Sequence, residues 1–227
     1  MARQPENDVT DNASSMRTMP LRAPRQQRSQ ASFERMIASA EELLRERGND
    51  DFTLQEVGKR GKVSIGSIYC RFDSKDELIR AVQARVLEAV NADQLRVIGE
   101  AEAKAQDLRQ LVKLLVNGIA NSLRHHADLM RPMMLRATSD PIVAAAGKKS
   151  YAEVADRFRE VMLAHSSEIL RPDPDRAVRS SYRILYAAIA RYLGFGSATG
   201  AAWEGDWEIL MADLGEMCAA FLTSEEG

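Results

Sequence analysis

Sixteen residues, VSIGSIYCRFDSKDEL at positions 63–78, gather hydroxyls, a tyrosine and two cations around a glycine. A helix selected for stability alone would carry Ala, Leu and Glu in such places. Ser64, Gly66, Ser67, Tyr69, Arg71 and Lys75 suit a polyanion instead. Gly66 and the small serines let the backbone lie close to a phosphate chain. The hydroxyls of Ser64, Ser67 and Tyr69 can donate to phosphate oxygens, and Arg71 and Lys75 add charge. Lys75 also falls in the first turn of a helix, where unpaired N–H groups favour an anion.

Other chemistry finds weaker support. Gly194, Gly196 and Gly200 approach a dinucleotide fingerprint, but Thr199 breaks the pattern and no strand precedes it. Gly61–Lys62 is followed by Val63, which excludes a Walker loop. His125, His126 and His165 lack companion Cys or acidic ligands, so no metal site is expected. No Ser, Cys and His stand at a recognisable catalytic spacing, and no cofactor is expected. The two cysteines, Cys70 and Cys218, form no disulfide framework and fit a reducing cytoplasm.

The chain of 227 residues is 45% hydrophobic, enough for a substantial core. No apolar run reaches the roughly 18 residues of a membrane span, and the first thirty residues lack a signal peptide's apolar centre. Net charge is −2, so bulk charge does not announce a nucleic-acid binder. Its distribution is more informative. Positions 59–75 hold Lys59, Arg60, Lys62, Arg71 and Lys75 against Asp73 alone, and Arg17, Arg22, Arg25, Arg28 and Arg35 face only Glu34. Two basic patches thus sit on a mildly acidic chain, although charge runs are often merely solvated surface.

The elements that must position these residues are helical. Residues 1–28, with Pro5, Pro20 and Pro24, read as a disordered basic arm. Phe33, Met36, Ile37, Ala40, Leu43 and Leu44 then form one apolar stripe, with Gly48 just past its end. Thr53 and Glu56 make a capping box, closed over by Phe52 and Val57. Ser64 caps a further short helix, and Ser74 with Glu77 repeats the box at the head of a long one. Asp140–Pro141 and Asp173–Pro174 read as helix starts. Stripes recur at 108–123, 154–162, 178–192 and 207–222. The expectation is an all-α chain of nine or ten helices.

Two short helices joined by a tight turn at 53–71 match a helix-turn-helix. Val57, Val63, Ile68 and Phe72 are expected to face inward. Ser64, Ile65, Gly66, Ser67, Tyr69, Cys70 and Arg71 are then left outside.

The segment FTLQEVGKRGKVSIGSIYCRFDSKDEL resembles the DNA-binding signature of the TetR family of transcriptional regulators. Thr53, Val57, Val63, Ser64, Gly66, Ser67, Ile68, Tyr69, Phe72, Ser74, Lys75 and Leu78 carry the resemblance. It is strong over 29–80; over 81–227 it extends only to helical character and length. Gly58 stands where Ala is usual, Gly61–Lys62 where Ala-Gly is usual, and Arg71 where His is common. The resemblance implies an N-terminal three-helix helix-turn-helix DNA-binding domain (29–80) and a larger C-terminal ligand-binding and dimerisation domain (81–227). It implies a dimeric repressor that reads a palindromic double-stranded operator and is released by a small-molecule effector. Thr53, Lys62, Ser64, Ile65, Gly66, Ser67, Tyr69, Cys70, Arg71 and Lys75 are then expected on DNA, with Arg22, Arg25 and Arg28 in the adjacent minor groove.

In the C-terminal part, Met130, Met133, Met134, Tyr151, Phe158, Tyr182 and Tyr186 are candidates to line an apolar cavity; ordinary core is the plainer alternative. The last two helices are expected to pair in the homodimer through Val178, Tyr182, Leu185, Ile189, Trp207, Leu210, Met211 and Leu214. Two rivals stay open: a ligand-independent architectural DNA-binding protein, and a small-molecule enzyme in an all-α fold.

Overall fold

A computed structural model describes residues 25–196 and 205–225. Among them the chain forms nine α-helices and no strand, as the periodicity predicts. Helix α1 (Arg25–Arg47) ends at Gly48, whose φ of 68° and N–H bond to the Leu44 carbonyl close it. Then come α2 (Leu54–Gly61), α3 (Ile65–Tyr69) and α4 (Lys75–Lys104). The body adds α5 (Leu108–His125), α6 (Ala127–Arg136), α7 (Pro141–Leu163), a 3-10 turn at Ser166–Glu168, α8 (Pro174–Tyr192) and α9 (Trp207–Thr223).

Side-chain caps set most of these starts. Thr53 accepts from the Glu56 N–H while Glu56 reaches back to the Thr53 N–H, so the box is complete. Ser64 and Ser74 cap α3 and α4. The second box is only half formed, because Glu77 accepts from the Asp73 N–H rather than from that of Ser74. Asp140 and Asp173 precede prolines at the first helical positions, as expected. Asp107 and Asp206 cap α5 and α9 as well.

The arm expected over 1–28 meets one correction. Arg25 and Arg28 belong to α1, because the helix begins at Arg25; Arg22 lies outside the described residues.

One apolar core runs from Met36 in α1 to Leu222 in α9. Helix α4, about 45 Å long at 1.5 Å per residue, joins the two ends of it. Its first turns pack on α1, and the rest packs on α5 and α7. Helix α6 touches α1 as well, so the body meets the N-terminal head at a second point. No helix among the described residues is long and apolar enough to cross a membrane.

Candidate nucleic-acid interface and buried cavity

Val57, Ile68 and Phe72 are buried, with Val57 and Ile68 fully so. They anchor α2 and α3 on α1, where Phe33 stacks on Phe72 at 6.0 Å. Between the two helices, Lys62 sits in the left-handed region at φ 51°, ψ 45°. The turn therefore keeps the backbone that glycine usually supplies there, and a lysine bears its strain. Gly58 admits the tight corner: a Cβ on it would lie 2.8 Å from the Val63 carbonyl oxygen.

The expected outer face is present. Ser64, Ile65, Gly66, Ser67, Tyr69 and Cys70 are exposed, Tyr69 by 53% and Ile65 by 38%. A Cβ on Gly66 would meet nothing within 4 Å, so this backbone is open to an approaching partner. The Ser64 and Ser67 hydroxyls lie 2.8 Å apart. Thr53 is exposed but spends its hydroxyl on the capping box. Glu56 is pulled down to about 2, first by its hydrogen bond from Arg47, so the box stays ionised at neutral pH.

Two expected phosphate contacts are otherwise engaged. The Arg71 guanidinium donates to the Ser29 carbonyl at 2.8 Å and lies over the Phe33 ring. The Lys75 ammonium donates to the Asp50 carbonyl and lies over the Phe52 ring. Both hold the head together from across the fold. Arg60 is paired bidentately with Glu46 at 2.6 and 2.7 Å. Lys59 and Lys62 are exposed and make no ion pair among the described residues. They flank a shallow groove with Gln55, Ser64 and Ile65. Lys59 and Gln55 were absent from the sequence-based site. The signal that finds them is their position on α2: both are exposed there and border the same groove.

Behind the head, α4, α6, α7 and α8 enclose a cavity of about 410 Å³. Met130, Met133, Met134, Tyr151, Tyr182 and Tyr186 line it, as expected. Phe158 stands one layer back, its ring 5.0 Å from that of Tyr182. The three tyrosines form one cluster, with Tyr151 edge-on to Tyr186 at 4.9 Å and tilted to Tyr182 at 5.3 Å. Sequence reasoning missed the wall supplied by α4. Gln83, Leu87, Val90 and Gln94 face the cavity at steps of four, three and four. Buried glutamines on a helical stripe are the readable signal.

The expected dimer surface is corrected. Val178, Tyr182, Leu185, Ile189, Trp207, Met211 and Leu214 are buried inside the single chain, none more than 6% exposed, and Leu210 is half-buried. Tyr182 cannot both line the cavity and meet a mate. The exposed large apolar residues of α8 and α9 are Ile184, Ile209 and Met217, at 55, 62 and 63%. Of the three histidines, His165 lies 2.9 Å from Glu168, and the rings of His125 and His126 meet edge to face at 4.8 Å. No cluster of metal-ligating side chains occurs among the described residues.

The fold of the head defines an all-α helix-turn-helix protein. Residues 36–82 match the model for bacterial regulatory proteins, tetR family. It is similar to an HTH-type transcriptional repressor of Mycobacterium tuberculosis, 26% identical over 132 residues, 58% of this chain and 48% of that one. Over 66 residues it is 36% identical to an HTH-type transcriptional regulator of the same organism, 29% of this chain and 31% of the relative. The chain thus spans about half the length, or less, of these curated relatives. The fold is that of a TetR-family regulator structure from Mesorhizobium loti, with TM-score 0.68 and 18% identity over 86% of this chain and 96% of that one. A transcriptional regulator from Cytophaga hutchinsonii gives TM-score 0.63 and 18% identity over 86% and 100%.

Proposed function

We propose that this protein is a DNA-binding transcriptional repressor that reads a palindromic operator as a homodimer and is released by a small molecule held in the cavity. One observation carries the reading. The α2–α3 unit leaves Ser64, Ser67, Tyr69, Lys59 and Lys62 exposed while Val57 and Ile68 lock its apolar side into the core. Hydroxyls and free ammonium groups fix register on a phosphate backbone, and Ile65 is left to meet a base edge. A single short recognition helix reaches only a few bases, so specificity calls for two heads about one helical turn apart. The mate packs against the outward faces of α8 and α9, through Ile184, Ile209 and Met217. Such a regulator works in the cytoplasm, where its operator is.

The relative that is named a repressor supports the sign of regulation. The basic segment that includes Arg22 tracks the neighbouring minor groove, and Arg25 and Arg28 extend it from the start of α1. The decisive experiment is footprinting of the purified chain on DNA that flanks its own coding region. A protected inverted repeat is the expected result. Uniform protection without a preferred site would favour an architectural binder instead.

A further inference from the structure

The major groove of DNA offers hydrogen-bonding atoms on every base edge and one apolar group, the C5 methyl of thymine. The exposed side chains of α3 decide which of these it can use. Arg71, just past its end, is turned away onto the Ser29 carbonyl and the Phe33 ring. The hydroxyls of Ser64 and Ser67 are paired at 2.8 Å, and that of Ser64 also accepts from the Ser67 N–H at 3.1 Å. The helix itself carries no guanidinium, amide or carboxylate, the groups that form paired hydrogen bonds with a base edge. At its first position it carries Ile65 instead, 38% exposed, followed by Gly66, where a Cβ would meet nothing within 4 Å. An apolar side chain beside open backbone suits the one apolar group in the groove.

The amide that α3 lacks comes from α2. Gln55 is exposed, makes no hydrogen bond among the described residues, and borders the same shallow groove as Ile65. A glutamine amide matches adenine, accepting from the N6 amino group and donating to N7. Lys59 and Lys62 border that groove as well. Their ammonium groups are point charges on flexible stems, which suit phosphates rather than a planar base edge.

We propose that this groove reads A·T pairs: Ile65 packs on a thymine C5 methyl, and Gln55 forms the paired hydrogen bonds to an adenine of the same half-site. This rests on reading the head as a sequence-specific DNA binder, and the test separates the two. Duplexes are selected from a random pool by the full chain, and the enriched site is resynthesised with one base changed at a time. Uracil for thymine removes only the methyl; 7-deazaadenine removes only the N7 acceptor. At one thymine per half-site, uracil should weaken binding about fourfold, the worth of one methyl group, and by less than about 1.5-fold in Ile65→Ala. At one adenine per half-site, 7-deazaadenine should cost about threefold to tenfold, one hydrogen bond, and nothing measurable in Gln55→Leu. Both side chains are exposed, so both variants should keep the native circular dichroism, and the base substitutions against the native chain need no variant. An enriched site at which no uracil, or no 7-deazaadenine, costs affinity overturns the proposal and leaves the regulator standing. So does a uracil penalty that survives in Ile65→Ala, or a 7-deazaadenine penalty that survives in Gln55→Leu. A 7-deazaguanine penalty that vanishes in Lys59→Met also overturns it, by making a lysine in this groove the reader of guanine. If the pool yields no enriched sequence, the sequence-specific reading of the head falls and this code with it.

Discussion

Lys62 concentrates the residue-scale physics of the head. A non-glycine residue in the left-handed region costs about 1–2 kcal/mol, and Lys62 holds φ 51° with its ammonium exposed and unpaired among the described residues. The charge is retained despite the strain. In Lys62→Gly the strain is relieved, and the greater freedom of the unfolded chain offsets about 0.4–1 kcal/mol of that gain. Stability in urea should therefore stay level or rise by up to about 1.6 kcal/mol. DNA affinity should fall for all sequences alike, and the slope of log affinity against log salt should shrink by about one per head. A salt slope identical to that of the native chain would remove Lys62 from the phosphate contacts. Arg71 and Lys75 show the complementary lesson. Their types and positions are those of phosphate contacts. Their partners, Ser29 and Asp50, lie 42 and 25 residues back along the chain. No local pattern reveals an acceptor supplied from that far away.

At the scale of elements, helix starts and apolar stripes were legible because each is written within a few residues. Thr53 with Glu56, Asp140 with Pro141, and Asp173 with Pro174 are local chemistry, and they stand where expected. What covers a stripe is not local. Val178, Leu185 and Ile189 repeat as an interface helix would, yet α8 spends them on its own chain. Ile189→Asp should therefore unfold the body rather than part a dimer, since an unpaired buried charge costs several kcal/mol. Ile209→Asp is the informative change, because that side chain is 62% exposed. It should leave the unfolding free energy of the chain in urea within about 0.5 kcal/mol of the native value and sediment as a monomer. A native dimer from this variant would move the interface off the face of α9.

The spacing of α1 and α2 makes a second claim at the same scale. A Cβ on Gly61 would stand 2.8 Å from the Ser39 hydroxyl and 3.0 Å from the Arg35 carbonyl oxygen. The Ser39 hydroxyl is itself bonded to that carbonyl at 2.7 Å, and Arg35 donates to the Gly61 carbonyl at 3.1 Å. Neither neighbour is a free side-chain end. Gly61→Ala should cost about 1–3 kcal/mol, the range for overpacking, read as a lower urea midpoint. An unchanged midpoint would mean that α2 can shift on α1 without loss.

Across the whole molecule, Arg136 joins cavity to head. It is the last residue of α6, one turn beyond Met133. Its guanidinium donates to Asp50, before α2, and to Asp76, in the first turn of α4, both at 2.7 Å. Asp140, the cap of α7, lies 3.4 Å away and is also held by Arg80 at 3.0 Å. One side chain thus ties a helix of the cavity wall to two anchoring points of the reading head. Such fork geometry weakens steeply with misalignment, so a shift of α6 around a ligand in the proposed site would be felt at Asp50 and Asp76. The claim can be tested without knowing the ligand. Gly147 on α7 lines the cavity, and a Cβ there meets nothing within 4 Å. Gly147→Leu therefore places an apolar group where a ligand would sit. It should weaken operator binding at least fivefold, the low end of ordinary coupling between sites. In the Arg136→Gln background the same substitution should change affinity by less than twofold, because the tie is already cut. Arg136→Gln alone should cost about 1–3 kcal/mol of stability, through charged hydrogen bonds lost at a partly exposed site. If filling the cavity weakens DNA binding equally in both backgrounds, the signal travels by another route, with the length of α4 the next candidate to carry it.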